Sequence, residues 1–441
     1  MLKRPICSIL TAFSTALQSD ISLTVPWWGR DRASKLTPER GLHTTHFSLS
    51  SVQTMASSST PNAASIMLEF AANTGLYPER LPPRRYLWTD AYAVCNFLGL
   101  ARRTGEMRYQ QLAHQLVEQV HTYLGKHRPD DARQGWISGL SEEEGRVHPT
   151  IGGLRIGKQL PERGAGDPVD DDLEWDRDGQ YYHYLTKWMH ALTCMTVATN
   201  DPKYNIWAAE LAKTAHAKFT YGSGNRKRMY WKMSIDLSRP QVPSMGHHDP
   251  LDGLITYNVI QKYLPLGQEG MPDLAAEIVD MENICKCRDW VTTDALGMGG
   301  LLTDAYRVLK LTVEGKLERG DLLTETILES SVVGMEGFGS RKLTGSAEKR
   351  LAFRELGLVI GFKAVPQMLL LLKQHPPLGF NRPKIPMEID RLQKYSDEIM
   401  NSVVYFWEDQ NNRNASTWKG HLDINMVMWA TSLEPEGFYS I

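Results

Sequence analysis

The sequence has few cysteines, no apolar run of membrane length and no excess of charge of either sign. Only five of its 441 residues are cysteine. Neither paired CxxC motifs nor histidines at zinc-ligand spacing accompany them, which argues against a disulfide framework and a structural zinc site. Cys95 and Cys194 lie in apolar helical stretches, where cysteine usually behaves as a small hydrophobic residue. We therefore expect a reducing, intracellular compartment.

The charges nearly balance, since 49 Lys and Arg residues face 51 Asp and Glu residues. This balance lacks the basic footprint of a nucleic-acid-binding protein. The best membrane candidate, residues 356–372, is interrupted by Lys363 and Pro366 and falls short of the ~18–20 apolar residues that a spanning helix needs. We expect a buried core helix there, and neither a nucleic-acid nor a membrane partner.

The first sixty residues differ from the rest of the chain. They contain many Ser and Thr residues and six Lys or Arg residues, but only Asp20, Asp31 and Glu39 are acidic. This composition is typical of an organellar transit peptide. The alternative is a start assigned too early, with Met55 as the initiator. In both cases residues 1–60 are expected to be a leader, and the location is cytoplasmic or organellar.

Helical periodicity dominates after residue 60. Six stretches carry apolar residues at the i, i+3, i+4, i+7 spacing of half-buried helices, and six helices between them are apolar on nearly all sides and must be buried. The buried helices are expected near residues 88–104, 178–199, 249–263, 293–312, 350–374 and 421–433. This alternation predicts an all-α (α/α)6 toroid over residues 61–441, with an inner and an outer helical ring.

Polar residues cluster where the inner helices begin. One Asp per helix is explained by capping, because it accepts backbone N–H groups at the N-terminus. Capping does not explain the Trp, His and Arg residues that accompany these Asp residues. The long connections 125–177 and 220–247 lead into this same face, where we expect small β-hairpin or loop insertions. The candidate carboxyls at this face are Asp90, Asp178, Asp249, Asp252, Asp294, Glu355 and Asp423.

Two short motifs are similar to those of a known family. Gly246-His247-His248 opens one inner helix, and Trp418-Lys419-Gly420-His421 precedes another. The layout of residues 60–441 resembles the six-hairpin glycosidase superfamily, and the motifs resemble those of the N-acylglucosamine 2-epimerase family within it. In that family two facing histidines move a proton at the carbon beside a carbonyl. The resemblance implies that His248 (or His247) and His421 form such a pair.

The resemblance to glycosidases implies carbohydrate chemistry, for which we expect hydrolysis of a glycosidic bond first. An inverting pair of carboxyls lies ~6.5–9.5 Å apart. We expect Asp90 and Asp249 to be this pair, because Trp88 beside Asp90 would desolvate the carboxyl and stack on a sugar. The expected substrate shell contains Trp88, Tyr181, His183, His247, Asp252, Asp294, Glu355 and Asp423. The alternatives are a sugar 2-epimerase or aldose–ketose isomerase using His248 and His421, and a non-catalytic sugar-binding protein.

The sequence predicts no cofactor and no metal site. The glycines of residues 297–300 lie inside a helical stretch, where they let helices pack closely, and residues 334–339 lack the preceding strand of a dinucleotide fingerprint. The acidic run 167–178 imitates the start of an EF-hand loop without its closing Glu. A solvated acidic loop is expected there, with a bound Ca²⁺ as the alternative.

Overall fold

The computed structural model describes residues 62–265, 272–286, 288–339 and 343–441. The expected leader, residues 1–60, lies outside them. Twelve long helices alternate along this part of the chain. The outer helices are α1 (Ala63–Asn73), α3 (Met107–Leu124), α5 (Lys203–Phe219), α7 (Ala275–Cys285), α9 (Gly320–Phe338) and α11 (Lys384–Met400). The inner helices are α2 (Leu87–Thr104), α4 (Tyr182–Thr199), α6 (Asp249–Tyr263), α8 (Ala295–Val313), α10 (Ala352–Gln374) and α12 (Leu422–Leu433).

The inner helices form a closed ring. Each one packs against the next along the chain, from α2 through α4, α6, α8 and α10 to α12, and α12 packs back on α2. The outer helices pack against this ring, as α3 does on α2 and α5 on α4. Short helical segments fill the connections at Glu142–Val147, Asp171–Glu174, Pro376–Asn381, Asn401–Tyr405, Phe406–Glu408, Gln410–Arg413 and Ser416–Lys419. The predicted (α/α)6 toroid is confirmed.

Glycines set the closest approach in the ring, between α8 and α10. A Cβ atom on Gly299 would overlap the backbone of Gly357, and one on Gly361 would overlap the backbone of Gly299. The two helix backbones are therefore in direct contact. This is the close packing that the sequence predicts for the glycines of residues 297–300.

Helix α10 is long and apolar enough to cross a membrane, and its most apolar stretch of 18 residues has a mean hydropathy of 1.6. However, 67% of this stretch is buried inside the molecule. It packs on α8, α11 and α12, and Pro366 lies within it. It is the core helix expected around residues 356–372.

The strands lie on the face where the inner helices begin. They are β1 (Gln180–Tyr181), β2 (Thr220–Tyr221), β3 (Arg228–Met229), β4 (Lys232–Met233) and β5 (Pro240–Val242). An antiparallel sheet has the order β1-β4-β5, and β2 pairs with β3. The second inner helix, α4, was expected to begin at residue 178. It begins only at Tyr182, because Gln180 and Tyr181 pair with Met233 and Lys232 in the sheet.

A buried lysine fills the acidic loop that precedes β1. Lys232 is fully buried, and its Nζ donates to the carbonyl oxygens of Glu174 and Arg177 at 2.6 and 2.9 Å and to the Glu174 carboxylate at 3.0 Å. The ammonium thus compensates the charge of Glu174 at one end of the acidic run. A Ca²⁺ ion at the other carboxylates of residues 167–178 stays a prediction.

Candidate active site

A central cavity of about 350 Å³ opens among the N-terminal ends of the inner helices. Its volume lies in the range of small-molecule sites. The aromatic side chains in its wall are Trp88, Tyr92, Tyr184, Trp231, Phe353 and Phe438. The titratable ones are His183, Lys187, His247, His248, Asp249, Asp252, Asp294, Asp304 and Arg354. Aromatic faces beside clustered acids and bases suit a polar, ring-shaped ligand.

Asp249 is a carboxyl in this cavity whose surroundings favour proton transfer. It starts α6 with Pro250 in the first turn and is only 6% exposed. Burial raises its pKa to about 7, and the nearby carboxylate of Asp252 acts in the same direction, against Lys187 and the Gly246 backbone N–H. Its Oδ2 is buried without a hydrogen-bond partner of normal geometry in the described part of the chain. Asp249 can therefore both hold and release a proton near neutrality.

Asp252, one turn further along α6, is held in its ionised form. Lys187 Nζ lies 2.9 Å from its Oδ1, Thr186 donates to Oδ2, and the Arg307 guanidinium lies 3.6 Å away. Burial alone would raise the pKa of this carboxyl, but these cations and the hydroxyl hold it below its usual range. Its lone pairs are engaged, so it orients Lys187 and is poorly placed to act as a base.

His183 projects from the first turn of α4 toward Asp249. Its Nδ1 accepts a hydrogen bond from Trp231 Nε1 at 3.2 Å and lies 4.0 Å from Asp249 Oδ1. Burial, followed by the charge of Lys187, lowers its pKa to about 3. The imidazole is therefore neutral at physiological pH and carries its proton on Nε2.

His248 is a second neutral imidazole in the cavity wall. Its Nε2 donates to the carbonyl oxygen of Trp290 at 2.9 Å. A carbonyl only accepts, so the lone pair is on Nδ1. Burial lowers the pKa of His248 to about 4. His247 lies beside it, with the two rings 4.6 Å apart.

Asp304 is a cavity residue that the sequence patterns did not indicate. It lies in the middle of α8, 4% exposed, and burial and Asp252 raise its pKa to about 7 although Arg307 is 3.6 Å away. Only residues at helix starts were predicted to line the site. The available signal was an Asp and an Arg spaced i, i+3 in an otherwise apolar helix. At the start of the same helix, Asp294 caps α8 and pairs with Arg354, also at the cavity.

Three expected site residues lie behind the cavity wall. Asp90 is 1% exposed, accepts from the Tyr86 backbone N–H at 2.9 Å and pairs with Arg85 at 3.3 Å. Glu355 is buried between the Arg350 guanidinium and the Trp407 indole N–H, each 2.8 Å away. Tyr181 is 1% exposed within β1. These side chains support the wall, while Trp88, expected beside Asp90, lines the cavity.

His421 and Asp423 lie at a second cavity, of about 410 Å³. His421 donates through Nδ1 to the Thr417 carbonyl at 3.0 Å, and Asp423 pairs with Arg84 at 2.9 Å. Phe353, which lines the central cavity, packs on the His421 ring at 5.6 Å. His421 thus lines the second cavity, which shares Ile424 with the central cavity that His248 lines.

No protein-family model and no curated protein matches the chain. Among solved structures, the cellobiose 2-epimerase of Bacillus thermoamylovorans matches with 11% identity and a TM-score of 0.41, over 71% of this chain and 76% of that one. The cellobiose 2-epimerase of Spirochaeta thermophila matches with 13% identity and a TM-score of 0.41, over 76% of this chain and 85% of that one. The toroid itself is established by the closed ring of this chain's own inner helices.

Proposed function

We propose that the protein moves a proton at the carbon beside the carbonyl of a reducing sugar, as a sugar 2-epimerase or aldose–ketose isomerase. The observation that carries the proposal is the pairing of a neutral imidazole, His248, with a carboxyl that titrates near neutrality, Asp249, in one aromatic-walled cavity. A group whose proton affinity matches the working pH is the most effective general acid or base, and Asp249 meets this condition. The resemblance of residues 246–248 to an epimerase motif supports the same chemistry.

Epimerisation assigns these two residues complementary roles. His248 Nδ1 removes the proton from C2 of the open-chain aldose, and the electron pair moves to the aldehyde oxygen. Asp249 then gives its proton to C2 from the other side, which leaves His248 protonated and Asp249 ionised. Before the next turnover His248 releases its proton to solvent and Asp249 takes one up. The second proton-transfer group is thus Asp249, in place of the expected His421.

Two features favour this reaction over the two-carboxyl hydrolysis that we expected first. The expected partner carboxyl, Asp90, is tied to Arg85 behind the cavity wall. Asp252 is engaged by Lys187, Arg307 and Thr186. Neither is available to activate a water molecule.

Hydrolysis of a glycosidic bond is the second candidate function, and Asp304 is the observation in its favour. Asp249 and Asp304 both line the cavity and both have a pKa raised to about 7. A protonated carboxyl is what a glycosidase needs as its acid. If the protein is a hydrolase, an Asp304→Asn variant should lose glycoside cleavage.

The pair His248→Gln and His421→Gln tests the proposed function. We expect His248→Gln to lower the rate of C2 proton exchange of a reducing sugar with D₂O by about 10²–10⁴-fold, because it removes the base. We expect His421→Gln to retain most of that rate, because His421 lies at the other cavity. Equal losses in both variants would restore the facing-histidine pair, and unchanged exchange in His248→Gln would reject the role of that base.

A further inference from the structure

Cys95, His190 and Cys194 form a buried cluster that the proposed reaction does not use. Cys95 lies on α2, and His190 and Cys194 lie one turn apart on α4, so the packing of these two helices brings the three together. Their ligand atoms all lie within 4.8 Å of one another. Cys95 is far from the other two along the chain, which is why the sequence shows no ligand motif.

We propose that Cys95, His190 and Cys194 bind one Zn²⁺ ion. Zinc bonds of about 2.3 Å to sulfur and about 2.0 Å to nitrogen place tetrahedral ligand atoms about 3.5–3.8 Å apart. Cys194 Sγ and His190 Nε2 lie 3.6 Å apart. Two thiolates and a neutral imidazole carry two negative charges, so Zn²⁺ makes the buried site neutral and removes the cost of isolated buried charge.

Two further oxygen atoms and an entry path complete the site. The Phe438 carbonyl lies 2.9 Å from His190 Nε2, and Ser440 Oγ lies 3.4 Å from Cys194 Sγ. Cys194 and Ser440 also line a cavity of about 370 Å³ at the end of the inner helices away from the central cavity. A water molecule in this cavity, or one of the two oxygens, supplies the fourth ligand that tetrahedral zinc requires.

The proton balance of binding follows from the present hydrogen bonds. Each thiol releases one proton to solvent as its sulfur–zinc bond forms, and the His190 proton moves from Nε2 to Nδ1, which now has no hydrogen-bond partner among the described residues. The thiolate is the metal-binding form of cysteine.

Cobalt titration of the chelator-treated full chain tests the site. We expect one Co²⁺ per chain, with the near-ultraviolet absorption of a thiolate–cobalt bond, displaced by Zn²⁺ at equal stoichiometry. Cys194→Ser and Cys95→Ser should weaken this binding by at least about 100-fold. The matched control is Cys285→Ser, a free half-buried thiol on α7, which should bind like the unmodified chain.

Absence of the thiolate–cobalt band in the unmodified chain would overturn the proposal, as would equal loss in the Cys285→Ser control. If the Cys95→Ser variant does not fold, alkylation of the thiols in the unmodified chain, mapped by mass spectrometry, tests the site instead. Zinc should slow modification of Cys194 at least about tenfold in the unmodified chain and leave Cys285 unchanged. Equal rates with and without zinc would contradict the site. None of these readouts depends on turnover, so they stand apart from the proposed function.

Discussion

At the scale of single residues, the environment of Asp249 distinguishes it from the other acidic residues at the inner-helix starts. Asp294 caps its helix and Glu355 pairs with Arg350, so each has its charge compensated. Asp249 is buried beside an ionised carboxylate and is protonated more readily for that reason. A buried carboxyl beside an ionised one lowers the stability of the fold. Such destabilised groups are typical of functional sites.

The proposed roles predict a pH profile for the reaction. In the active state His248 is neutral and Asp249 is protonated. Their pKa values are about 4 and about 7. We expect kcat/KM to be level between these values and to fall about tenfold per pH unit above pH ~7, where Asp249 loses its proton. Asp249→Asn should lower kcat/KM by about 10²–10⁴-fold, whereas Asp423→Asn should keep the unmodified profile. A profile that rises through pH ~7 would reverse the assigned role of Asp249.

The raised pKa of Asp249 also predicts that the Asp249→Asn variant gains folding stability. The folded chain binds the Asp249 proton up to a pKa of about 7, whereas an unfolded Asp releases it near pH ~3.9, so folding stability falls as pH rises between these values. Asparagine does not titrate. Asp249→Asn should therefore be more stable than the unmodified chain at pH ~8, by up to about 4 kcal/mol, and gain less at pH ~5. Thermal unfolding at the two pH values measures this, and a larger gain at the lower pH would contradict it.

Residue patterns predicted part of the site. The polar helix starts predicted a site, and the structure places seven of the expected residues in the wall of the central cavity: Trp88, His183, His247, His248, Asp249, Asp252 and Asp294. The same rule placed Asp90 and Glu355 there, because sequence does not show that Arg85 and Arg350 engage them. It missed Asp304, since nothing in a helix middle marks which turn faces a cavity. The capping role and the catalytic role of an Asp are distinguished only by its partners in space.

At the scale of helices, the α8–α10 contact predicts opposite effects of one added methyl group at two neighbouring glycines. A Cβ on Gly299 meets the Gly357 backbone, while a Cβ on Gly300, the next residue, meets nothing within 4 Å. Gly299→Ala should destabilise the fold by about 1–3 kcal/mol, because two backbones must separate. Gly300→Ala should stabilise it by up to about 1 kcal/mol, because Ala has the higher helix propensity. Denaturant unfolding of the pair checks this, and equal effects of the two changes would refute the backbone contact.

The inner helices were predicted to within a few residues because a helix without a polar face must be buried on all sides. The start of α4 was the exception. Its first expected residues, 178–181, lead into and form β1, which depends on pairing with Lys232 and Met233 much later in the chain. Local periodicity contains no information about such a partner. The cluster of Cys95, His190 and Cys194 has no sequence motif for the same reason, since it joins α2 to α4.

At the scale of the whole molecule, the toroid gathers the starts of the inner helices around one cavity. The closed ring positions side chains from residues 88 to 438 in a single wall. Contacts between the connections support this geometry, since β1 pairs with β4 and Trp231 donates to His183. The wall thus holds an acid and a base in fixed positions, as the proposed proton transfer beside a sugar carbonyl requires.

Proton NMR of the full chain with free reducing monosaccharides and disaccharides in D₂O tests this proton transfer most directly. We predict that the C2 proton signal of one sugar disappears as deuterium replaces it, and that its epimer or ketose isomer appears. Asp249→Asn under the same conditions should form no epimer, because the group that protonates C2 from the other side is lost. New reducing-end anomeric signals from an added oligosaccharide, with every C2 proton retained, would contradict proton transfer at C2 and establish glycoside hydrolysis instead.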